Sequence, residues 1–157
     1  MDVVPLRQED IQRVYDLMDL GAPYIRPRTL SDYWLYAKLF SSTCPVAIID
    51  GTFAGAVMAF RSQEEPHEIY IQDVMTHPDF RRRGVTTALV SHVVERGRTW
   101  ACKRIYLTSE PENIAGQRTW ETLGFHNVVG DAMIDGVSVI KNYKGPGKDR
   151  AVYEFLL

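Results

Sequence analysis

Cysteine is scarce: Cys44 and Cys102 are the only two in 157 residues, and neither has a partner at metal-ligand spacing. Both lie in apolar contexts, so buried free thiols in a reducing compartment are expected, and no metal. No run approaches the ~18 apolar residues of a membrane span, and the opening MDVVPLRQED lacks a charged-then-apolar leader pattern. The expectation is a cytoplasmic protein without a membrane partner. Positive charge is not in excess either. The formal net charge is −2, which supplies no global field for nucleic acid, and no nucleic-acid partner is expected. There are no internal repeats, low-complexity runs or linkers, no G-x-G-x-x-G fingerprint, and no lysine after the glycine of a phosphate loop. What remains, 45% hydrophobic and 24% charged, is the composition of an ordinary globular chain. A single domain over residues 1–157 is expected, able to bury about two-thirds of its unfolded surface.

The informative stretch is 68–89, EIYIQDVMTHPDFRRRGVTTAL. Ile69, Ile71 and Val74 suit a packed strand, which Pro78 closes near Thr76. After Gly84, the spacing of Val85, Ala88, Leu89 and Val93 predicts a helix that starts at the glycine. A helix N-terminus carries unpaired N–H groups and about half a positive charge. Arg81, Arg82 and Arg83 add to it, and a glycine lets an oxyanion reach the main chain. Alone, RRRG reads as a solvated basic loop. The order strand, loop, helix makes it a phosphate or pyrophosphate site.

Taken in order, the chain predicts a strand over 3–6, a helix over 9–20 stopped by Gly21, a proline-containing loop over 21–28, and an aromatic helix over 32–40 capped by Ser31. Strands over 44–50 and 52–61 flank Asp50-Gly51, a tight-hairpin signal. The helix after Gly84 should end within 97–100. A strand over 104–108 follows, parallel to the 68–76 strand because a helical crossover returns to the same sheet. A helix over 112–123 and strands over 125–128 and 151–157 complete the chain.

RRRGVT, at 81–86, resembles the pyrophosphate signature (Q or R, x, x, G, x, G or A) of the GNAT superfamily of acetyl-CoA-dependent N-acetyltransferases, with Thr86 where Gly or Ala is usual. DVMTHP is similar to the strand end on which that family lays the pantetheine arm, and ENIAGQRTWETLGF, at 112–125, resembles its second signature. The resemblance runs along nearly the whole chain. It implies an α/β domain with a mixed, mostly antiparallel sheet of six or seven strands, helices on both faces and a splayed central parallel pair. It also implies acetyl-CoA as donor, its arm along Val74, Met75 and Thr76 and its pyrophosphate against Arg81, Arg82, Arg83, Gly84, Val85, Thr86 and Thr87. The Thr86 hydroxyl can itself donate to a phosphate. Asn113 matches the asparagine that contacts the cofactor arm, although it is equally an ordinary helix cap. The first half, with its FxxTCxVA phrase, looks similar to diaminobutyrate acetyltransferases; the second half follows another pattern.

Acetyl transfer to an amine needs a neutral nitrogen, yet an alkylamine near pKa ~10.4 is protonated at neutral pH. A base or a deprotonating water path is required. Asp73, on the central strand, is the best placed carboxylate; the competing reading is an aspartate that only bonds backbone. Glu68 and His77 are weaker candidates. Trp120 stands where many GNAT members have a tyrosine acid, and an indole N–H does not serve as one, which leaves Tyr106, Tyr143 or water. Arg26 and Arg28 can clamp a carboxylate or be merely solvated. The expected partner is a small primary amine, an amino acid or diamino acid among them. A peptide or protein amine, a non-catalytic acyl-CoA-binding regulator and a homodimer stay open.

Overall fold

The computed structural model describes residues 1–157. Its strands are β1 (Asp2–Pro5), β2 (Pro45–Ile49), β3 (Thr52–Arg61), β4 (Glu68–Thr76), β5 (Arg104–Ser109), β6 (His126–Asn127), β7 (Ala132–Ile134), β8 (Val137–Val139) and β9 (Ala151–Leu156). The helices are α1 (Ile11–Asp19), α2 (Leu30–Leu39), α3 (Val85–Thr99) and α4 (Ile114–Thr122). Seven strands form one sheet in the order β1-β2-β3-β4-β5-β9-β6, in which β4 and β5 are parallel and every other pair is antiparallel. The expected mixed sheet with its central parallel pair is therefore observed.

Two cores sandwich the sheet. Val14, Leu17 and Met18 of α1 and Tyr33 and Ala37 of α2 pack on Ala56 and Met58 of β3. On the opposite face Val85, Leu89, Val90 and Val93 of α3 pack on Ile69, Ile71, Ile105 and Leu107, joined by Trp120 and Leu123 at the end of α4. Side chains of a strand alternate between faces, so one extra residue exchanges them. Along β3 and β4, Met58 pairs with Asp73 but Ala59 pairs with Ile71, leaving Gln72 as the extra residue. Upstream of it Ile69 and Ile71 face α3; downstream Met75 joins the α1–α2 core and Val74 turns toward α3. Asp73 is thereby aimed at the α1–α2 side.

Several local expectations are corrected. The second helix begins at Leu30, not 32, because Thr29 and Asp32 form a reciprocal capping box: the Thr29 hydroxyl accepts from Asp32 N at 3.1 Å and the Asp32 carboxylate accepts from Thr29 N at 3.1 Å. Ser31 lies inside the first turn. The first helix is a short 3-10 turn over Gln8–Asp10 that continues as α1. The fourth helix starts at Ile114, with Asn113 Oδ1 accepting from Gly116 N at 3.0 Å. The strand expected over 125–128 shrinks to two residues, and Asp135-Gly136 turns an unexpected hairpin, β7–β8, that forms a separate sheet. The Asp50-Gly51 turn is as expected, both residues having positive φ of 49° and 76°.

At Gly55 the side chains of Val85 and Leu89 on α3 press close against β3. A Cβ there would stand 2.6 Å from Val85 Cγ1 and 2.7 Å from the Met75 carbonyl oxygen, the latter an immovable main-chain atom. Gly55→Ala is expected to destabilise the fold by about 1–3 kcal/mol. Urea unfolding should show this as a lower midpoint at unchanged slope.

Candidate active site

The β4–β5 ladder runs only from Glu68–Arg104 to Ile71–Leu107. Beyond it β4 stays bonded to β3 as far as Thr76, and β5 to β9 as far as Ser109. The two strands separate, and a cleft of about 1110 Å³ opens there, walled by the loop after α1, by β4 beyond its bulge, by the start of α3, by the end of β5 and by α4. A smaller hollow of about 460 Å³ between α4 and the β7–β8 hairpin borders none of these β4 or α3 residues.

One end of the cleft suits an anion. Gly84 caps α3 in the left-handed region at φ 77°, and a Cβ there would meet no atom within 4 Å, so the space in front of the helix start is open. Arg82 is also left-handed, at φ 61°, a conformation that costs a non-glycine residue about 1–2 kcal/mol. Arg81, Arg82 and Thr86 line the cleft. The Thr86 hydroxyl is engaged with that of Thr76 at 2.8 Å, which stitches the start of α3 to the end of β4. Val85 is buried in the α3 core, so its side chain is turned away from the cleft. Arg83, Gly84 and Thr87 are exposed and, like Val85, outside the lining, Arg83 lying 5.1 Å from the Phe80 ring centroid. Val74, Met75 and Thr76 line the β4 wall; Asn113, Gly116 and Trp120 line the α4 wall.

At the other end Asp73 and Arg28 meet, Arg28 Nε standing 3.4 Å from Asp73 Oδ2. The Asp73 side chain is only 9% exposed. Its burial raises the carboxyl above the usual carboxylate range, while Arg28 and, farther off, Lys144 pull it back. The Arg28 backbone N–H donates to the Tyr33 hydroxyl at 2.9 Å, and burial pushes that hydroxyl up to about 12. Arg28 is thus fixed at both its backbone and its guanidinium. Arg26, by contrast, is exposed and does not line the cleft.

The other acid–base candidates lie elsewhere. Glu68 accepts from Arg104 at 3.1 Å at the far end of β4, and His77 Nδ1 accepts from Asp79 N just past the strand. Tyr106 lies tilted against Tyr70, ring centroids 5.1 Å apart, and under Arg104, and neither it nor Tyr143 borders the cleft. Trp120 does border it, its ring edge-on to Phe125 at 5.9 Å. Lys144 was not among the expected residues. Its Nζ donates to the Tyr70 hydroxyl at 2.6 Å and it lines the cleft together with Thr108 and Arg150.

A family model described as "Acetyltransferase (GNAT) family" matches residues 11–125, from α1 through the second signature. The chain belongs to the GNAT family. It is therefore of an acyltransferase class whose donor is acetyl-CoA, and the open α3 start and the divided strands fit such a donor. An L-2,4-diaminobutyric acid acetyltransferase of Nocardia farcinica is 30% identical over 83 residues, covering 53% of this chain and 43% of that protein. The enzyme of the same name from Vibrio cholerae is 28% identical over 89 residues, covering 57% and 51%. The match thus spans about half the length of these curated relatives. Among solved structures, the Paenibacillus lautus diaminobutyrate acetyltransferase, held with its substrate and coenzyme A, superposes with a TM-score of 0.75 at 22% identity, covering 98% of this chain and 93% of that one. At that identity the likeness is one of GNAT fold. No helix is long and apolar enough to cross a membrane.

Gly84→Asp would set a carboxylate at the open α3 start. Calorimetry is expected to show acetyl-CoA binding abolished, and retained affinity would count against this end of the cleft as the anion site.

Proposed function

We propose that this protein moves the acetyl group of acetyl-CoA to the primary amine of a small acceptor that also carries a carboxylate, an amino acid or diamino acid, by direct attack of the neutral amine. The observation that carries the reading is Asp73, a nearly buried carboxylate turned into the cleft by the β4 bulge, beside the point where β4 and β5 part. A carboxyl raised by burial is suited to receive a proton from a substrate ammonium. The curated relatives named for L-2,4-diaminobutyric acid act on an amino acid with a second amine, and they support the same acceptor class.

Charge supports the acceptor's carboxylate. The cleft that holds Asp73 is also lined by Arg28, Lys144 and Arg150, although the chain as a whole carries −2. Arg28 is already held by Asp73, so it orients that carboxylate and shares its charge with an incoming anion; Lys144 and Arg150 are the freer partners. Val74, Met75 and Thr76 would carry the donor arm, and main-chain N–H groups from Arg82 to Thr86 its pyrophosphate, with Asn113 on the opposite wall. Arg26, Arg83 and Thr87 are left without a part in this reading. A turnover screen with acetyl-CoA against simple amines, amino acids, diamino acids and peptides tests it. Turnover on diamino acids well above that on amines lacking a carboxylate is the expected outcome, and a preference for peptide N-termini would overturn the acceptor class.

Asp73→Asn is expected to lower kcat/KM about 10²-fold or more. Trp120→Phe should cost less, and a Trp120→Phe variant that keeps its fold and donor affinity yet loses more would reverse this division of labour.

The pH profile follows from sign. A base works only when deprotonated, so kcat/KM falls as pH drops through the Asp73 pKa, and burial sets that limb above the ordinary carboxylate range. Arg28→Met removes the largest influence holding the pKa down, so the limb should move further up in pH. Two amines of different pKa separate this limb from the ionisation of the acceptor. A limb that stays put in Arg28→Met would assign it to another group.

A further inference from the structure

When the acetyl group leaves the donor, the carbon–sulfur bond breaks toward sulfur, and the resulting thiolate must take a proton from a cleft group or from water. Resting on the acetyl-transfer reading above, we propose that the Thr108 hydroxyl delivers this proton and that Tyr70 and Lys144 resupply it. The other hydroxyls held in the cleft have no ionisable hydrogen-bond partner behind them. Those of Thr76 and Thr86 bond to each other at 2.8 Å, that of Ser109 donates to the Glu110 carbonyl at 3.4 Å, and that of Thr119 donates to the Ala115 carbonyl at 3.0 Å. Tyr24 is half exposed, with no held position in the cleft. Thr108 alone is joined to groups that ionise: its Oγ1 lies 3.2 Å from the Tyr70 hydroxyl, which lies 2.6 Å from Lys144 Nζ.

The direction of the first link is fixed by chemistry, and the second, in which either oxygen can donate, runs from Tyr70 in this relay. An ammonium has protons to donate and no lone pair to accept with, so the Tyr70 oxygen accepts from Lys144. The single Tyr70 proton is then free to go to Thr108, and the single Thr108 proton is free for the cleft. The position is also suited to the task. Tyr70 precedes the last β4–β5 ladder pair, Ile71 with Leu107, and Thr108 follows it, so the two hydroxyls bridge the strands at the point where they part. Tyr70 alternates with Ile69 and Ile71, and Thr108 with Leu107, all three of which pack against α3. Both hydroxyls are therefore on the α1–α2 face, the face to which the bulge turns Asp73. An arm running from the α3 start back along β4 brings its reactive end to this point, between the carboxylate and the hydroxyl.

The step balances. As the carbon–sulfur bond breaks, the Thr108 proton passes to sulfur, the Tyr70 proton to the Thr108 oxygen and one Lys144 proton to the Tyr70 oxygen. The products at the ends of the chain are a thiol and a neutral amine. Lys144 is exposed and recovers its proton from water. The acceptor ammonium gives up two protons in all, the first to Asp73 before attack and the second to water as the amide forms, so the proton that sulfur gains arrives by a separate route. Thr108 is the group that touches the leaving atom; Tyr70 and Lys144 act through it.

Thr108→Val and Tyr70→Phe remove one hydroxyl each and keep nearly the same shape. Single-turnover acetyl transfer, with donor and acceptor affinities measured separately by calorimetry, is expected to slow about 10²-fold in each variant at little-changed affinity. The solvent deuterium effect supplies a readout that a packing role would not move. The wild-type rate should depend non-linearly on deuterium fraction, as several protons move together, and this curvature should vanish in both variants. Lys144→Met should slow the step similarly, and so should Lys144→Arg, whose guanidinium keeps a hydrogen-bond donor but does not give up its proton. An unchanged single-turnover rate in Thr108→Val overturns the proposal. So does a loss confined to acceptor affinity in Tyr70→Phe and Lys144→Met, or a loss carried by Tyr24→Phe instead. Wild-type transfer that none of the three substitutions slows sinks the relay alone, whereas a wild type that transfers acetyl to no amine sinks the acetyl-transfer reading with it.

Discussion

Main-chain hydrogen bonding inside a sheet is nearly obligatory, and a pair of neighbouring strands gives it up only at a cost. In this protein β4 and β5 give it up after Ile71 and Leu107, each keeping its outer neighbour, so both inner edges present unpaired backbone groups to the same gap. An extended ligand with amide groups of its own can pair with such an edge much as a strand would. The remaining features depend on that gap. The bulge at Gln72 decides which side chains face it, α3 begins just past its β4 wall, and α4 closes it across from β4.

Charge divides the gap into two halves. At the α3 start, arginine side chains, left-handed backbone at Arg82 and Gly84, and the helix terminus all favour negative ligands. At the opposite end a carboxylate lies against Arg28 and feels the Lys144 charge, and Arg150 lines the same cleft, so that region offers charge of both signs. A chain of net charge −2 achieves this by placement and not by excess.

Much of this architecture was legible in the residues. The β-branched run before Pro78, the glycine ahead of a 3.6-period pattern and the Asp50-Gly51 turn are local signals, and each corresponds to an observed strand end, helix start or hairpin. The parallel pairing followed from the length of the crossover. The local errors have local causes. Thr29 out-competed Ser31 because its partner Asp32 could return the hydrogen bond, and β7 and β8, three residues each, are too short for alternation to be visible. The contacts at the Asp73 end of the cleft had no sequence signal at all. Arg28 and Asp73 are 45 residues apart, and Tyr70 and Lys144 are 74 apart, so only the closed fold brings them together. The bulge left no trace beyond Val74 sharing the apolar character of Ile69 and Ile71 at the wrong parity for a regular strand.

The bond between Thr76 and Thr86 has an evolutionary corollary. Each hydroxyl, part-buried at the junction of β4 and α3, has the other as its partner. A small apolar residue at 86 alone would leave the Thr76 hydroxyl without its mate, and the reverse change would do the same, so either single step carries a penalty that the double step escapes. Along a lineage of descendants the two positions should drift as a couple: hydroxyl with hydroxyl, or glycine or alanine at 86 with an aliphatic residue at 76. The departure from the usual signature at Thr86 thus comes with a hydroxyl partner ten residues upstream on the neighbouring strand.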